Sequence, residues 1–147
     1  MVNDLELSGV GVANNLRPVL LKLARELRRE VHPLGVTGGQ VTLLVQIRRH
    51  AGIGVRELAT REGISAAGMS GHVGRLERAG LVERRADPAD RRRHGLYPTA
   101  AGERVLRLVK SRRTAWLTAR MKHLSPDELR ALDAAIEPLE RLLGDPS

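Results

Sequence analysis

Residues 64–85 read ISAAGMSGHVGRLERAGLVERR, and residues 84–93 carry the chain onward as RRADPADRRR. Met69, Val73 and Leu76 recur at helical spacing on one side of a helix that Ser65 is placed to cap. Gly80 follows where a left-handed C-terminal cap belongs. Leu81-Val82 then begins a strand, Asp87-Pro88 makes a turn, and Gly95-Leu96-Tyr97 returns as a second strand. Pro98 has no N–H to offer a ladder, so the second strand is expected to be an edge or to stop there.

Upstream, VRELATREG after the Gly52-Ile53-Gly54 turn predicts a short helix burying Val55, Leu58 and Ala59, ended by Gly63. Before it, Thr37 and Gln40 form a capping-box pattern that opens a helix to about His50, with Val41, Leu44, Val45 and Ile47 inward. Residues 16–31, LRPVLLKLARELRREV, repeat Leu16, Val19, Leu20, Leu23 and Leu27 at helical spacing. Pro18 fits a first turn capped by Asn14 or Asn15; otherwise it kinks a longer helix begun near Asp4. Downstream, Thr99 caps a long helix to about His123, with Val105, Leu108, Val109, Trp116 and Leu117 among its apolar positions. At that extent it would be about 37 Å long, more than a domain of this size needs for its own core. The sequence SPDE at Ser125 to Glu128 opens a last helix with the stripe Leu129, Leu132, Ile136, Leu139 and Leu143, which Pro138 should bend.

The order short helix, turn, capped helix, strand, basic turn, strand is a helix-turn-helix with a hairpin wing. The expected architecture is therefore mainly α with a small β-hairpin wing. A winged helix-turn-helix at residues 37–98 lies between a helical region at 1–36 and a helical region at 99–147.

The chain has 147 residues and no cysteine, which excludes disulfides and thiolate metal sites. No apolar stretch reaches the ~20 residues of a membrane span, and the N-terminus does not resemble a cleaved signal. A cytoplasmic location is expected. Tyr97 and Trp116 are the only aromatic residues, too few for platforms that stack single-stranded nucleic acid. The net charge is +8, and residues 48–113 hold 16 basic and 7 acidic side chains, a local net of +9. Arginine supplies 22 of the 25 basic residues, and its forked guanidinium suits phosphate better than a lysine does. A basic block between near-neutral ends has the form of a nucleic-acid footprint. The five arginines and two aspartates of residues 84–93 would, taken alone, read as a solvated loop. At the tip of a wing they read as a grip on a polyanion.

Neither a nucleophile elbow, a glycine-rich phosphate loop nor a distinctive carboxylate pair is present, so no catalysis is expected. His32, His50, His72, His94 and His123 stand at no mutual ligand spacing, and neither a metal nor another cofactor is expected.

The stretches VRELATREGIS, RLERAGLVERR, DPADRRR and TAAGER resemble the winged helix-turn-helix of the MarR family of bacterial transcription regulators. The Asp-x-Arg of Asp90 and Arg92, followed by a threonine that opens a long helix, is the most distinctive match. The likeness is specific over residues 37–104, and the flanking helices fit as well. It implies a homodimer whose first and last helices interlock, each recognition helix in a major groove and each wing tip in a minor groove of a palindromic duplex. It also implies release of DNA by a small, often aromatic, ligand in a cleft between the dimerisation helices and the winged part. Trp116 is a candidate for that cleft, against a place in core or dimer packing.

On this basis Ser65, Ala67, Ser70, His72 and Arg75 on the recognition helix, and Arg84, Arg91, Arg92 and Arg93 on the wing, are expected to meet double-stranded DNA. Arg75, Arg84 and Arg93 would hold phosphates, and Arg91 or Arg92 would enter the minor groove. Asp90 is expected to stiffen the wing by pairing with Arg92 or Arg84. The recognition helix departs from the family pattern: Ala66, Gly68 and Gly71 stand where larger polar or basic side chains are common. Gly68, Gly71 and Gly74 together cost about 3 kcal/mol relative to alanine. Two readings stay open, a backbone that approaches DNA very closely and a helix that reads few bases. Beside a dimeric repressor stand an architectural DNA coater of low specificity and a winged helix that binds an acidic protein.

Overall fold

A computed structural model describes residues 7–144. The helices are α1 (Gly9–Arg29), α2 (Gly38–Arg49), α3 (Val55–Glu62), α4 (Ala66–Arg78), α5 (Ala100–Met121) and α6 (Pro126–Arg141). A hairpin of β1 (Val82–Ala86) and β2 (His94–Pro98) stands between α4 and α5. This is a mainly helical winged helix-turn-helix with a two-stranded antiparallel wing, as the sequence predicts. Among the described residues no helix is long and apolar enough to cross a membrane.

The core lies beneath the winged part. Leu44 and Ile47 of α2, Leu58 of α3, Met69, Val73 and Leu76 of α4, and Leu96 of β2 are essentially inaccessible. Val31 and Val36, between α1 and α2, and Leu106 and Val109 of α5 complete it from outside residues 37–98. On α5 the buried turn is Leu106 to Val109, whereas Leu108 is half-exposed. Val105 packs against the core and Val109 enters it as expected, so the correction is confined to Leu108, whose place Leu106 takes.

Helix ends follow their capping residues. The Thr37 hydroxyl accepts from the Gln40 N–H at 3.1 Å, while the Gln40 carboxamide accepts from the Thr37 N–H at 2.9 Å. Ser125 and Glu128 form the same reciprocal pair. There the Ser125 backbone N–H, and then its hydroxyl, hold the Glu128 carboxyl below its ordinary pKa. One expectation at α1 is corrected. The cap is Ser8, whose hydroxyl accepts from the Gly11 N–H at 3.1 Å, and not Asn14 or Asn15. Pro18 lies inside the helix, as the longer-helix alternative has it; the N–H it lacks is the loss of one backbone bond among many in a helix of 21 residues. A start near Asp4 falls outside the described residues. α5 spans 22 residues, slightly less than expected, and Pro138 stays within α6.

The hairpin registers Val82 with Pro98, Arg84 with Leu96 and Ala86 with His94. β2 is not an edge along its whole length. Its Leu96 also bridges Ile53, donating to the Ile53 carbonyl at 2.9 Å and accepting from the Gly52 N–H at 2.8 Å. This third segment anchors the wing to the α2–α3 turn and demands glycine at position 95, where a Cβ would stand 2.6 Å from the Gly52 carbonyl oxygen.

At the wing's base the Thr99 N–H donates to the Leu81 carbonyl at 3.0 Å, and its hydroxyl to the Gly80 carbonyl at 2.6 Å. Gly102, one turn into α5, packs so closely on Leu81 that a Cβ would collide with its carbonyl oxygen. Gly102→Ala should lower stability by about 1–3 kcal/mol through overpacking. Gly71→Ala, whose Cβ would enter open space, should raise it by up to about 1 kcal/mol. Urea unfolding at one protein concentration checks both signs.

Candidate nucleic-acid interface

α3 and α4 form the helix-turn-helix, joined by Gly63 at φ 68° and capped into α4 by Ser65, whose hydroxyl accepts from the Gly68 N–H at 3.0 Å. Because Met69, Val73 and Leu76 turn inward, the opposite face of α4 presents Ala67, Gly71, Gly74 and Arg78. Ala67, Gly71 and Arg78 are exposed, and so is Ser70 on the flank. Gly71 has no neighbour within 4 Å of where a side chain would begin, so the outward face is a smooth strip closed at one end by Arg78. Arg78 was not among the expected contacts. Its place on the Ala67–Gly71–Gly74 face was the available signal.

His72 and Arg75 lie on the other flank. An Arg75 terminal nitrogen stands 2.7 Å from His72 Nδ1. A guanidinium can only donate, so in that contact Nδ1 is the acceptor. Both side chains line a cleft of about 560 Å3 between α4 and the start of α2, with Arg28, Gln40, Leu43 and Ile64 also in its wall. The recognition helix thus borders this cleft directly. Trp116 does not line it. That ring lies half-buried on α5 with the Arg120 guanidinium 4.2 Å from its centroid.

The wing divides its charges in a way that corrects the expected pairing. Asp90 does not hold a guanidinium: its Oδ1 accepts from the Arg92 backbone N–H at 3.1 Å, and its carbonyl from the Arg93 N–H at 3.0 Å. Asp87 accepts from the Ala89 N–H at 2.9 Å, and its own N–H donates to the Arg93 carbonyl at 2.8 Å. The short acidic side chains close the turn through the backbone, which lies nearer to them than any guanidinium. Arg84 is also out of Asp90's reach, being level with Leu96 along the ladder. It pairs instead with Glu77 of α4, Nε to Oε1 at 2.9 Å, and braces the wing on the recognition helix. Among the described residues Arg91, Arg92 and Arg93 make no ion pair and are exposed. Arg92, Arg93 and His94 face Arg56 of α3 across a cleft of about 930 Å3 between wing and helix. Arg56, missed from the sequence, joins the basic surface because the wing folds back over the start of α3.

A capped helix with a bare outer face, beside a basic hairpin tip, defines a winged-helix DNA-binding protein. The model of the MarR family matches residues 34–93. MarR itself, in a crystal structure, is 30% identical over 87% of this chain and 90% of that one, with a TM-score of 0.68. A Pseudomonas aeruginosa protein described as a candidate transcriptional regulator is 31% identical over 93% of this chain and 96% of that one, with a TM-score of 0.81. The HTH-type transcriptional repressor MdtR of Bacillus subtilis is 25% identical over 88% of this chain and 79% of its own length. The chain belongs to the MarR family of DNA-binding transcriptional regulators.

The turn geometry makes a prediction that separates two kinds of substitution at one aspartate. Asp90→Ala removes the acceptor for Arg92 N–H and should weaken duplex binding by roughly threefold to tenfold, the worth of about one hydrogen bond. Asp90→Asn keeps a side-chain oxygen there and should bind at least as well as the unaltered chain, as read by fluorescence anisotropy.

Proposed function

We propose that the chain acts as a homodimer that grips a palindromic double-stranded operator, represses transcription from it in the cytoplasm, and lets go when a small ligand enters the cleft beside α4. The observation that carries the DNA-binding part is the wing tip, where the turn is closed by backbone bonds to aspartates and three arginines stay available. Pre-ordering the tip lowers the entropy lost on binding. Arg91 and Arg92 suit a narrow minor groove, while Arg75, Arg84, Arg93 and the newly placed Arg56 and Arg78 suit phosphates. Ser65, Ala67, Ser70 and His72 remain the candidates at the major groove, although His72 and Arg75 sit toward its cleft-side flank.

Pairing is supported by two apolar stripes that the core does not use. On α1, Val12, Val19, Leu20 and Leu23 are 39–51% exposed, and on α6 Leu129, Leu132 and Ile136 are 45–53% exposed. Neither helix has a buried residue. Faces this apolar on amphipathic helices call for a covering surface, and a second copy supplies both. A ligand role for the cleft is supported by its mixed wall: Leu43 and Ile64 offer apolar contact, while Arg28 and Gln40 offer polar contact. With Glu62 also in the wall, a small aromatic molecule bearing a polar group has the matching chemistry. Its arrival would disturb the His72–Arg75 contact and thus the recognition helix.

The smooth outer face of α4 favours one further reading, a coater of low sequence specificity. Footprinting of duplexes recovered from a random pool decides between them: one symmetric protected site supports a regulator, and a featureless ladder supports a coater. Replacing Arg91, Arg92 and Arg93 with glutamine should lower the slope of log K against log salt by about 0.9 for each phosphate no longer neutralised. Leu20→Asp, placed in the α1 stripe, should leave helix content intact and yield a monomer in sedimentation equilibrium.

A further inference from the structure

α1 is a cantilever. None of its residues is buried, and its hold on the rest of the described chain is concentrated at its carboxyl end. There Val31 enters the core, and the stem of Arg28 lies over Gly38, so close that a Cβ at position 38 would come within 2.9 Å of Arg28 Cγ. Two consecutive residues of α5 complete the hold. Arg112 Nε donates to the Glu30 carbonyl at 2.6 Å and stands 3.4 Å from the Glu30 carboxylate. Arg113 Nε donates to the Leu27 carbonyl at 3.0 Å.

The chemistry suits the place. The last carbonyls of a helix have no partner within the helix and carry the negative end of its dipole, so cationic donors satisfy both needs. Burial, and then the like charge of Arg28, lower the Arg113 pKa from its ordinary value. A lysine, more strongly hydrated and without the forked Nε donor, would serve poorly.

We propose that Arg112 and Arg113 are positioning residues for half-site spacing: by pinning the end of α1 to α5, they set the direction in which α1 meets a second copy, and so the separation of the two recognition helices. The inference rests on the paired reading above. Its magnitude is adequate. A helix of 21 residues is a lever about 31 Å long. A swing of about 10° at its pinned end displaces the far end by about 5 Å, more than the ~3.4 Å advance of one base pair. The two arginines touch neither the wing nor the outer face of α4. Their loss should therefore leave the recognised half-site unchanged and alter only the distance between half-sites.

The experiment selects bound sequences from a random duplex pool with the unaltered chain and with the Arg112→Gln, Arg113→Gln double variant, each full length and checked for helix content and mass in solution. The unaltered chain should return paired half-sites at one separation. The double variant should return the same half-site with its preference for that separation over a one-base-pair change reduced about threefold or more. Paired sites at one identical separation for both proteins overturn the inference. Unpaired sites with the unaltered chain overturn the dimeric reading and this inference together. Should the double variant fail to fold, Arg113→Lys takes its place: a broadened separation supports the assignment, and an unchanged one overturns it.

Discussion

The carbonyl groups of Gly80 and Leu81 carry the constraint on which the rest of the molecule depends. Thr99 donates to both, with its hydroxyl and its N–H, and Gly102 lies against the second without room for a side chain. One threonine therefore closes the wing, caps α5 and ties that helix to the end of the recognition helix. Gly80, at φ 73°, turns the chain so that those carbonyls face the right way. The junction works together with the Arg84–Glu77 pair and the Leu96–Ile53 bridge, which hold the same wing to α4 and to the α2–α3 turn.

Several polar groups elsewhere are deployed in the same manner, on backbone ends. Ser8, Thr37, Ser65, Thr99 and Ser125 cap helices, Asp87 and Asp90 close the wing tip, and Arg112 and Arg113 cap the end of α1. No buried side-chain polar atom is left without a partner among the described residues. For the wing the consequence is functional. Because Asp87 and Asp90 bond to the backbone, the guanidinium donors of Arg91, Arg92 and Arg93 are left free of ion pairs among the described residues.

The recognition helix shows how packing overrides propensity. Its three glycines cost about 3 kcal/mol together. Burying Met69, Val73 and Leu76 completely contributes about 1.5–3 kcal/mol each, so the inward face outweighs the outward one. The helix can therefore leave its outer surface nearly bare. At its margins Ser70, His72, Arg75 and Arg78 are exposed.

Local chemistry was legible from the sequence wherever a few adjacent residues sufficed. The capping boxes at Thr37 and Ser125, the helix from Ser65 to Gly80, the hairpin and its basic tip all depend on short-range spacing and turn residues. What spacing could not decide was which partner a long side chain finds. Arg84 had Asp90 nearby in sequence and took Glu77, because the strand returns over α4. Asp90 took a backbone N–H, because that was closer than any guanidinium. Arg112 and Arg113 found carbonyls 82 and 86 residues away. Helical periodicity likewise marks α1 and α6 as amphipathic without saying what covers them, since an apolar stripe records only the need for burial. The sequence by itself determined the elements, their ends and where the charge lies, because these follow from local backbone bonding. The tertiary structure alone decided how the elements are braced and which arginines are left available, because those outcomes depend on distances across the fold.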